Sequence, residues 1–332
     1  MWKLFIAPFT VSFIGFFIVY WFGGFAALSL VFFLTLLEVS LSFDNAVVNA
    51  KVLERMDEKW RKRFLTWGML VAVFGTRLVL PVLIVAAAAW VSPITITHLL
   101  FANPQEYSHM IERVAPIIHA FGGAFLLMVA LRYFFDQAKS IHWIHPVEKH
   151  LTVWGRVQAM EVLITMVVIL LTAWTVPEHA AMILAAGCIG IMLFILMEGL
   201  VHALDDGAKH VAKAGLSLFL YLNLLDAAFS LDGVIGAFAL TTDIIIIITG
   251  LGIGAYFVRT LTLYFVRRRT LATLLYLEHG AYWAIAALGL CMFINIGTHL
   301  SEALVGTISI LFIAAAYFSS LKVRGVSRAD DL

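Results

Sequence analysis

The stretch LLEVSLSFDNAVVNA, residues 36–50, sets Glu38, Ser40, Ser42, Asp44, Asn45 and Asn49 in a chain otherwise saturated with Leu, Phe, Val and Ala. It has a partner far downstream. LLDAAFSLDGVIGAF, residues 224–238, aligns with it without a gap: Glu38 meets Asp226, Ser42 meets Ser230, Asp44 meets Asp232 and Asn45 meets Gly233. The shared pattern is an acid, three residues, Ser, one residue, then Asp. The helix after each copy carries an arginine, Arg77 in GTRLVL and Arg259 in FVRTLT. The helix after that opens with GGAFLLMVAL, residues 122–131, in one copy and HGAYWAIAAL, residues 279–288, in the other. Three consecutive helices therefore repeat, over about 25–135 and about 214–296.

Composition says what surrounds these acids. The chain is 62% hydrophobic and 13% charged, with a mean hydropathy of +0.98, far from the usage of soluble domains. Apolar runs long enough for a bilayer core recur from end to end. The expected fold is an all-α polytopic membrane protein, a single transmembrane domain over 1–332. Cys188 and Cys291 sit within apolar runs and read as packing residues. The N-terminal run lacks a small-x-small cleavage site, so a retained helix is expected there.

Ten helices are expected. They run Leu4 to Phe22, Phe25 to Ala50, Phe64 to Trp90, Ala115 to Phe135, Val157 to Val176, Ala180 to His202, Ala214 to Leu240, Asp243 to Val266, Tyr276 to Ile296 and Ala303 to Leu321. Gly23-Gly24 is the hairpin between the first two, and the helices at 4–22, 157–202 and 303–321 are accessory to the repeats. Ten spans place both termini and every even-numbered loop on one face. That face takes all of the 22 basic residues except Arg113, Arg77 and Arg259. By the positive-inside rule both termini are cytoplasmic. The outer segment Val91 to Val114 is the longest connection on the other face, with room for a short interfacial helix. Five spans separate the second helix from the seventh, so the two repeats run in opposite directions, as in many secondary transporters with midplane sites.

An ionised carboxylate at the bilayer centre costs about 2.5–3.5 kcal/mol on insertion scales, so such residues default to a functional reading. Glu38, Asp44, Asp226 and Asp232 against Arg77 and Arg259 leave two negative charges, which one divalent cation would balance if every acid is ionised. Six residues at about 100° each put Glu38 and Asp44 about 240° apart on a helical wheel, so both meet one ligand only if the helix unwinds or bulges. Gly233 and Gly236 make such unwinding easier in the second copy. The oxygen ligands of these motifs suit Mg²⁺, Ca²⁺ or Mn²⁺, and neither motif contains thiol or imidazole. The competing reading is that Asp–Arg pairs only lock helices together.

Other signals are weaker. Glu198, His202 and Asp205 share one helix face, as a second metal or proton site or as a hydrated helix end. His142, His145, Glu148 and His150 form a loop that reads as pH-titrating surface before it reads as a zinc site. His119 and His279 could relay protons, with an interhelical hydrogen bond the simpler reading. Glu161 and Glu278 lie near cytoplasmic helix ends and need no special role. TGLGIGAYF resembles a dinucleotide fingerprint but sits in a span with no strand before it, so helix packing explains it. Nothing suggests an enzyme, a nucleotide or a nucleic acid partner.

The two acidic stretches resemble the duplicated helices of the TerC family of integral membrane proteins, within the LysE-like exporter superfamily. The resemblance runs from about Phe25 to Ile296. The extra helices and the longer outer segment set the chain apart as a branch of its own. The resemblance implies manganese export, in some members calcium export, and an association with tellurium resistance. It implies Glu38, Asp44, Asn45, Asp226 and Asp232 as cation ligands, with Ser42, Ser230, Asn49, Arg77 and Arg259 in support. The expectation is a secondary transporter in the inner membrane of a bacterium, exporting a divalent cation, Mn²⁺ first and Ca²⁺ or Mg²⁺ next. No cofactor is expected to be permanently bound, the lipid bilayer is the one constant partner, and a homo-oligomer is left open. The alternatives are export of calcium or a small organic ion on the same fold, or a non-transporting scaffold in a metal or tellurite stress complex.

Overall fold

A computed structural model describes residues 3–68, 71–205, 211–268, 273–298 and 300–330, with the side chains at 3, 65, 72–74, 78, 88, 202–205, 211–214, 231 and 324–330 outside the description. Among the described residues every regular element is a helix. In chain order these are α1 (Lys3–Leu41), α2 (Phe43–Arg55), α3 (Glu58–Arg63), α4 (Leu80–Ala89), α5 (Pro93–Ala102), α6 (Pro104–Phe134), α7 (His145–Trp154), α8 (Met160–Thr175), α9 (Ala180–Asp205), α10 (Val211–Leu240), α11 (Ile244–Arg268), α12 (Leu277–Gly297) and α13 (Glu302–Asp330). Wider π-type turns, Phe64–Gly68 and Val71–Val79, lie between α3 and α4.

Seven of these helices are long and apolar enough to cross a bilayer. Their outer surface fits that medium: Phe13, Trp21 and Phe22 are 74%, 73% and 85% exposed, an arrangement water would penalise. The spans expected at Phe64–Trp90 and Val157–Val176 are not long regular helices. The first yields an apolar helical stretch of Gly75–Ala87 and the second only Met160–Thr175. At 1.5 Å per residue, the 16 residues of α8 reach about 24 Å, short of a bilayer core of about 30 Å. The segment Val91 to Val114 is helical through most of its length, because Asn103 caps α6: its side chain accepts from Glu106 N and donates to Glu106 Oε2. This starts α6 at Pro104 instead of Ala115.

Two breaks shape the N-terminal part. Gly24 has φ 69°, ψ −164°, a conformation open essentially to glycine alone. There α1 folds back on itself, bringing the Phe16 and Phe32 rings to 6.4 Å. Both arms lie on α11: Phe9 meets Phe257 in the first arm, and Leu34 packs at Gly250 in the second. The second break is at Ser42, between α1 and α2, where φ is −103° and ψ 12°.

α6 is the buried axis, packed by α9 and α12. It crosses α12 at Gly123 and Gly289, so closely that a Cβ on Gly123 would lie 3.0 Å from the Gly289 carbonyl oxygen. α10 packs on this axis and α2 on α12, while α1 lies along α11; the acidic stretches sit on α1 and α2 and on α10.

Candidate functional site

The helix does break between Glu38 and Asp44, at Ser42, but the break does not bring the two carboxylates onto one ligand. Ser42 N still donates to the Glu38 carbonyl and Ala46 N to the Ser42 carbonyl, but Asn45 N donates to the Asp44 carboxylate at 2.8 Å. The turn thus tightens around an acid. In α10 the expected unwinding does not occur: the helix runs unbroken through Gly233 and Gly236. These glycines serve close approach instead. A Cβ on Gly233 would meet Glu38 Oε2 at 3.3 Å, and one on Gly236 would meet Glu302 Cδ at 2.6 Å.

Glu38 is buried and doubly engaged. Ser42 Oγ donates to its carboxylate at 2.8 Å, and the Arg77 guanidinium pairs with the same oxygen. Arg77 also donates to Thr76 Oγ1, which reaches Ser230 Oγ at 3.4 Å. Ser230 does not repeat the role of Ser42, since it donates to the Asp226 backbone carbonyl.

One turn beyond, α2 faces α10. Asn45 Nδ2 donates to Asp226 Oδ1 at 2.8 Å. Asp44 is 0% exposed, and Asn45 and Asn49 are buried with it. Asp44 Oδ2, Asn45 Oδ1, Asn49 Oδ1 and Asp226 Oδ2 are buried with no hydrogen-bond partner among the described residues. Asn49 and Asp226, together with Arg77, Asn223 and Arg259, line part of a cavity of ≈ 30 Å³. A water needs about 10–15 Å³ by this measure, so the space suits an ion or one or two waters and excludes an organic solute.

Asp232 lies apart from this group. Six residues along an unbroken helix are about 9 Å and about 240°, so Asp226 and Asp232 do not converge. Asp232 meets His119 of α6, with Nε2 3.5 Å from Oδ1, too poorly directed to count as a hydrogen bond. The five residues expected as one ligand set therefore do not form one cluster: Glu38 pairs with Arg77, both within electrostatic reach of Asp226, which Asn45 holds; Asp44 accepts from the Asn45 amide; and Asp232 lies with His119. Among the described residues no three His, Cys, Asp or Glu side chains form a ready-made metal cluster. Glu302, which no sequence motif marks, packs on Gly236 in the turn after Asp232. In THLSEAL it looks like an ordinary acid in a first helical turn, and nothing local marks it.

The His142–His150 loop is corrected most sharply. Glu148 is 0% exposed, so it is no titrating surface group, and the loop histidines do not gather around a metal position. Its carboxylate accepts from Lys139 Nζ at 2.9 Å, the Trp143 and Ile144 amides, His279 Nδ1 at 2.8 Å and Trp283 Nε1 at 3.0 Å. Burial alone would raise its pKa, but hydrogen bonds from His279, Lys139 and Trp283 outweigh it and hold the carboxyl well below the usual range. Burial pushes the Lys139 ammonium down, against the pull of Glu148. His279 thus docks α7 onto α12 and has no contact with the acidic motifs.

At the same end Lys51 bridges α2 to Glu278 of α12 at 2.8 Å. Arg132 pairs with Glu198 and reaches Glu161 at 3.7 Å. Glu198 and Glu161 therefore help to fix the ends of α9 and α8. The side chains of His202 and Asp205 lie outside the described residues.

The fold and these acids define a class: an all-α protein with several bilayer-length helices and buried, partly unsatisfied carboxylates at its helix crossings. The chain belongs to the family DUF475, described as a protein of unknown function, whose family model matches residues 43–325. No curated protein and no solved structure matches it.

Proposed function

We propose that the protein is a secondary transporter that exports a divalent metal cation, most plausibly Mn²⁺, as its resemblance to the TerC family implies. The observation that carries this reading is a cavity of ion size lined by Asn49 and Asp226, each with an unsatisfied buried oxygen, with Asn45 held against Asp226 and Asp44 buried next to Asn45 in sequence. Buried acceptors without donors are costly, and a hard cation supplies what they lack. Carboxylate and amide oxygens select Mn²⁺, Mg²⁺ or Ca²⁺ over softer metals.

In this reading the chain crosses the bilayer ten times, with the Gly24 hairpin counted as two crossings and Gly75–Ala87 and α8 as short ones. The basic end is cytoplasmic, and the membrane is the bacterial inner membrane. The contacts Glu38 to Gly233 and Asn45 to Asp226 run in opposite sequence directions, which supports antiparallel copies of one three-helix unit. Glu38, already neutralised by Arg77, then fixes the crossing, while Asp44 and Asp226 meet the ion. The alternative cargo, a small organic ion, is favoured only by a wider cavity at the end opposite the basic one.

The test is Mn²⁺ flux into proteoliposomes containing this protein alone. Asp44→Asn and Asp226→Asn are expected to abolish flux while the purified protein stays monodisperse. Flux that survives both substitutions refutes the site, and an intact wild-type protein without flux under any imposed gradient favours a scaffold.

A further inference from the structure

We infer that Asp232, His119 and Glu302 form a second cation site, distinct from that of Asp44 and Asp226, which holds a divalent cation still carrying part of its water shell. The inference rests on the transport reading above and adds to it an outer station.

Three elements converge there. Asp232 comes from α10 and His119 from α6. Glu302 comes from the first turn of α13 and lies over Gly236, one turn beyond Asp232 on the same face of α10. Asp232 is 1% exposed and His119 6%. Both Asp232 oxygens, both His119 ring nitrogens and Glu302 Oε2 are buried without a hydrogen-bond partner among the described residues. A structural ion pair would direct His119 at Asp232, yet the 3.5 Å approach is not a hydrogen bond. The cluster has the charge and the unused donor capacity of a site made for something else.

Its surroundings set the ligand. His119 and Glu302 line a cavity of ≈ 1200 Å³, far too wide for a bare ion beside the ≈ 30 Å³ next to Asp226. Asp232, His119 and Glu302 approach one another without closing into a direct ligand cluster, so a hard cation bound here is bridged to them by its own waters, as Mg²⁺-like ions readily are. Glu112 and Arg113 also line the cavity and cancel in charge, leaving the acids as its net field. An ion leaving the tight inner site would thus regain water at Asp232 and Glu302 before release.

The experiment counts Mn²⁺ bound to the full chain in lipid nanodiscs, by the loss of the free-ion electron paramagnetic resonance signal. The wild type is expected to bind two equivalents. Glu302→Gln is expected to weaken one of them by about tenfold or more, the scale of a lost charged partner. Gly236→Ala leaves every charge in place and favours the helix, but forces Glu302 aside; it should weaken the same equivalent even if Glu302→Gln folds poorly. Asp44→Asn should remove only the other. Two equivalents unaffected by either outer variant overturn the second site, as does a single equivalent that Asp44→Asn abolishes, which leaves the transport reading standing. A single equivalent abolished by Glu302→Gln and spared by Asp44→Asn upholds the outer site and refutes the inner one. Displacement of the outer Mn²⁺ by equimolar tetramethylammonium overturns the hydrated-divalent assignment.

Discussion

Asn45 Nδ2 donates to Asp226 Oδ1 across 2.8 Å, joining two residues 181 positions apart and tying the two acidic stretches together by their side chains. The amide leaves its own oxygen and the second Asp226 oxygen buried and unused. It therefore sets the spacing of α2 and α10 while leaving acceptors free.

Asn45→Ala should for that reason affect both stability and transport. Removing the donor leaves a buried carboxylate oxygen unsatisfied, at a cost of about 1–3 kcal/mol. A lower melting temperature in detergent, together with reduced Mn²⁺ flux, is the expected pair of results. Unchanged melting would mean that water replaces the amide freely.

The Glu38–Arg77 pair is almost wholly buried, with side chains 2% and 4% exposed. Breaking one partner of such a pair costs about 3–5 kcal/mol, while replacing both often costs far less. Arg77→Gln and Glu38→Gln should each lower stability strongly, and the double variant should recover part of the loss. A double-mutant cycle on melting temperatures measures the coupling, and additive losses would refute it.

The sequence displayed much of this. The repeated acids and the glycine hairpin follow from residue spacing, because a helix has a fixed period and a bilayer a fixed thickness. Glu302 and the burial of Glu148 were not legible. Both depend on which helix end lands beside another helix, and an acid in a first helical turn or a histidine-rich loop looks solvated until tertiary packing covers it. Gly233 and Gly236 were read for backbone freedom, whereas their missing side chains admit Glu38 and Glu302.

Gly24 tests the hairpin. Its φ of 69° with ψ of −164° is a region from which a Cβ is excluded, and holding another residue there costs about 1–3 kcal/mol. Nothing lies within 4 Å of the position a Cβ would take, so the penalty is conformational and not steric crowding. Gly24→Ala should loosen the first arm from α11. Cysteine pairs at Phe9 and Phe257, whose rings stack edge-on at 5.2 Å, should crosslink less efficiently in this variant.

Glu148 gives the pH prediction. Its folded-state carboxyl titrates below the ordinary range, so the unfolded chain binds the proton more readily. Its stabilising contribution is therefore fully present above the unfolded value, about 4.3, and is lost as pH falls from there through the folded value. The melting temperature of the wild type should fall as pH drops below about 4.5, and Glu148→Gln should start lower and show a shallower fall. His279 and Trp283 of α12 and Lys139 of the segment before α7 all donate to this one carboxylate, so its protonation weakens three contacts at once and should free α7 before the membrane core melts. Faster proteolysis between residues 136 and 157 at low pH, by an acid protease and with the spans intact, is the expected signature. A pH profile identical in wild type and Glu148→Gln would show that the contact carries no net stability.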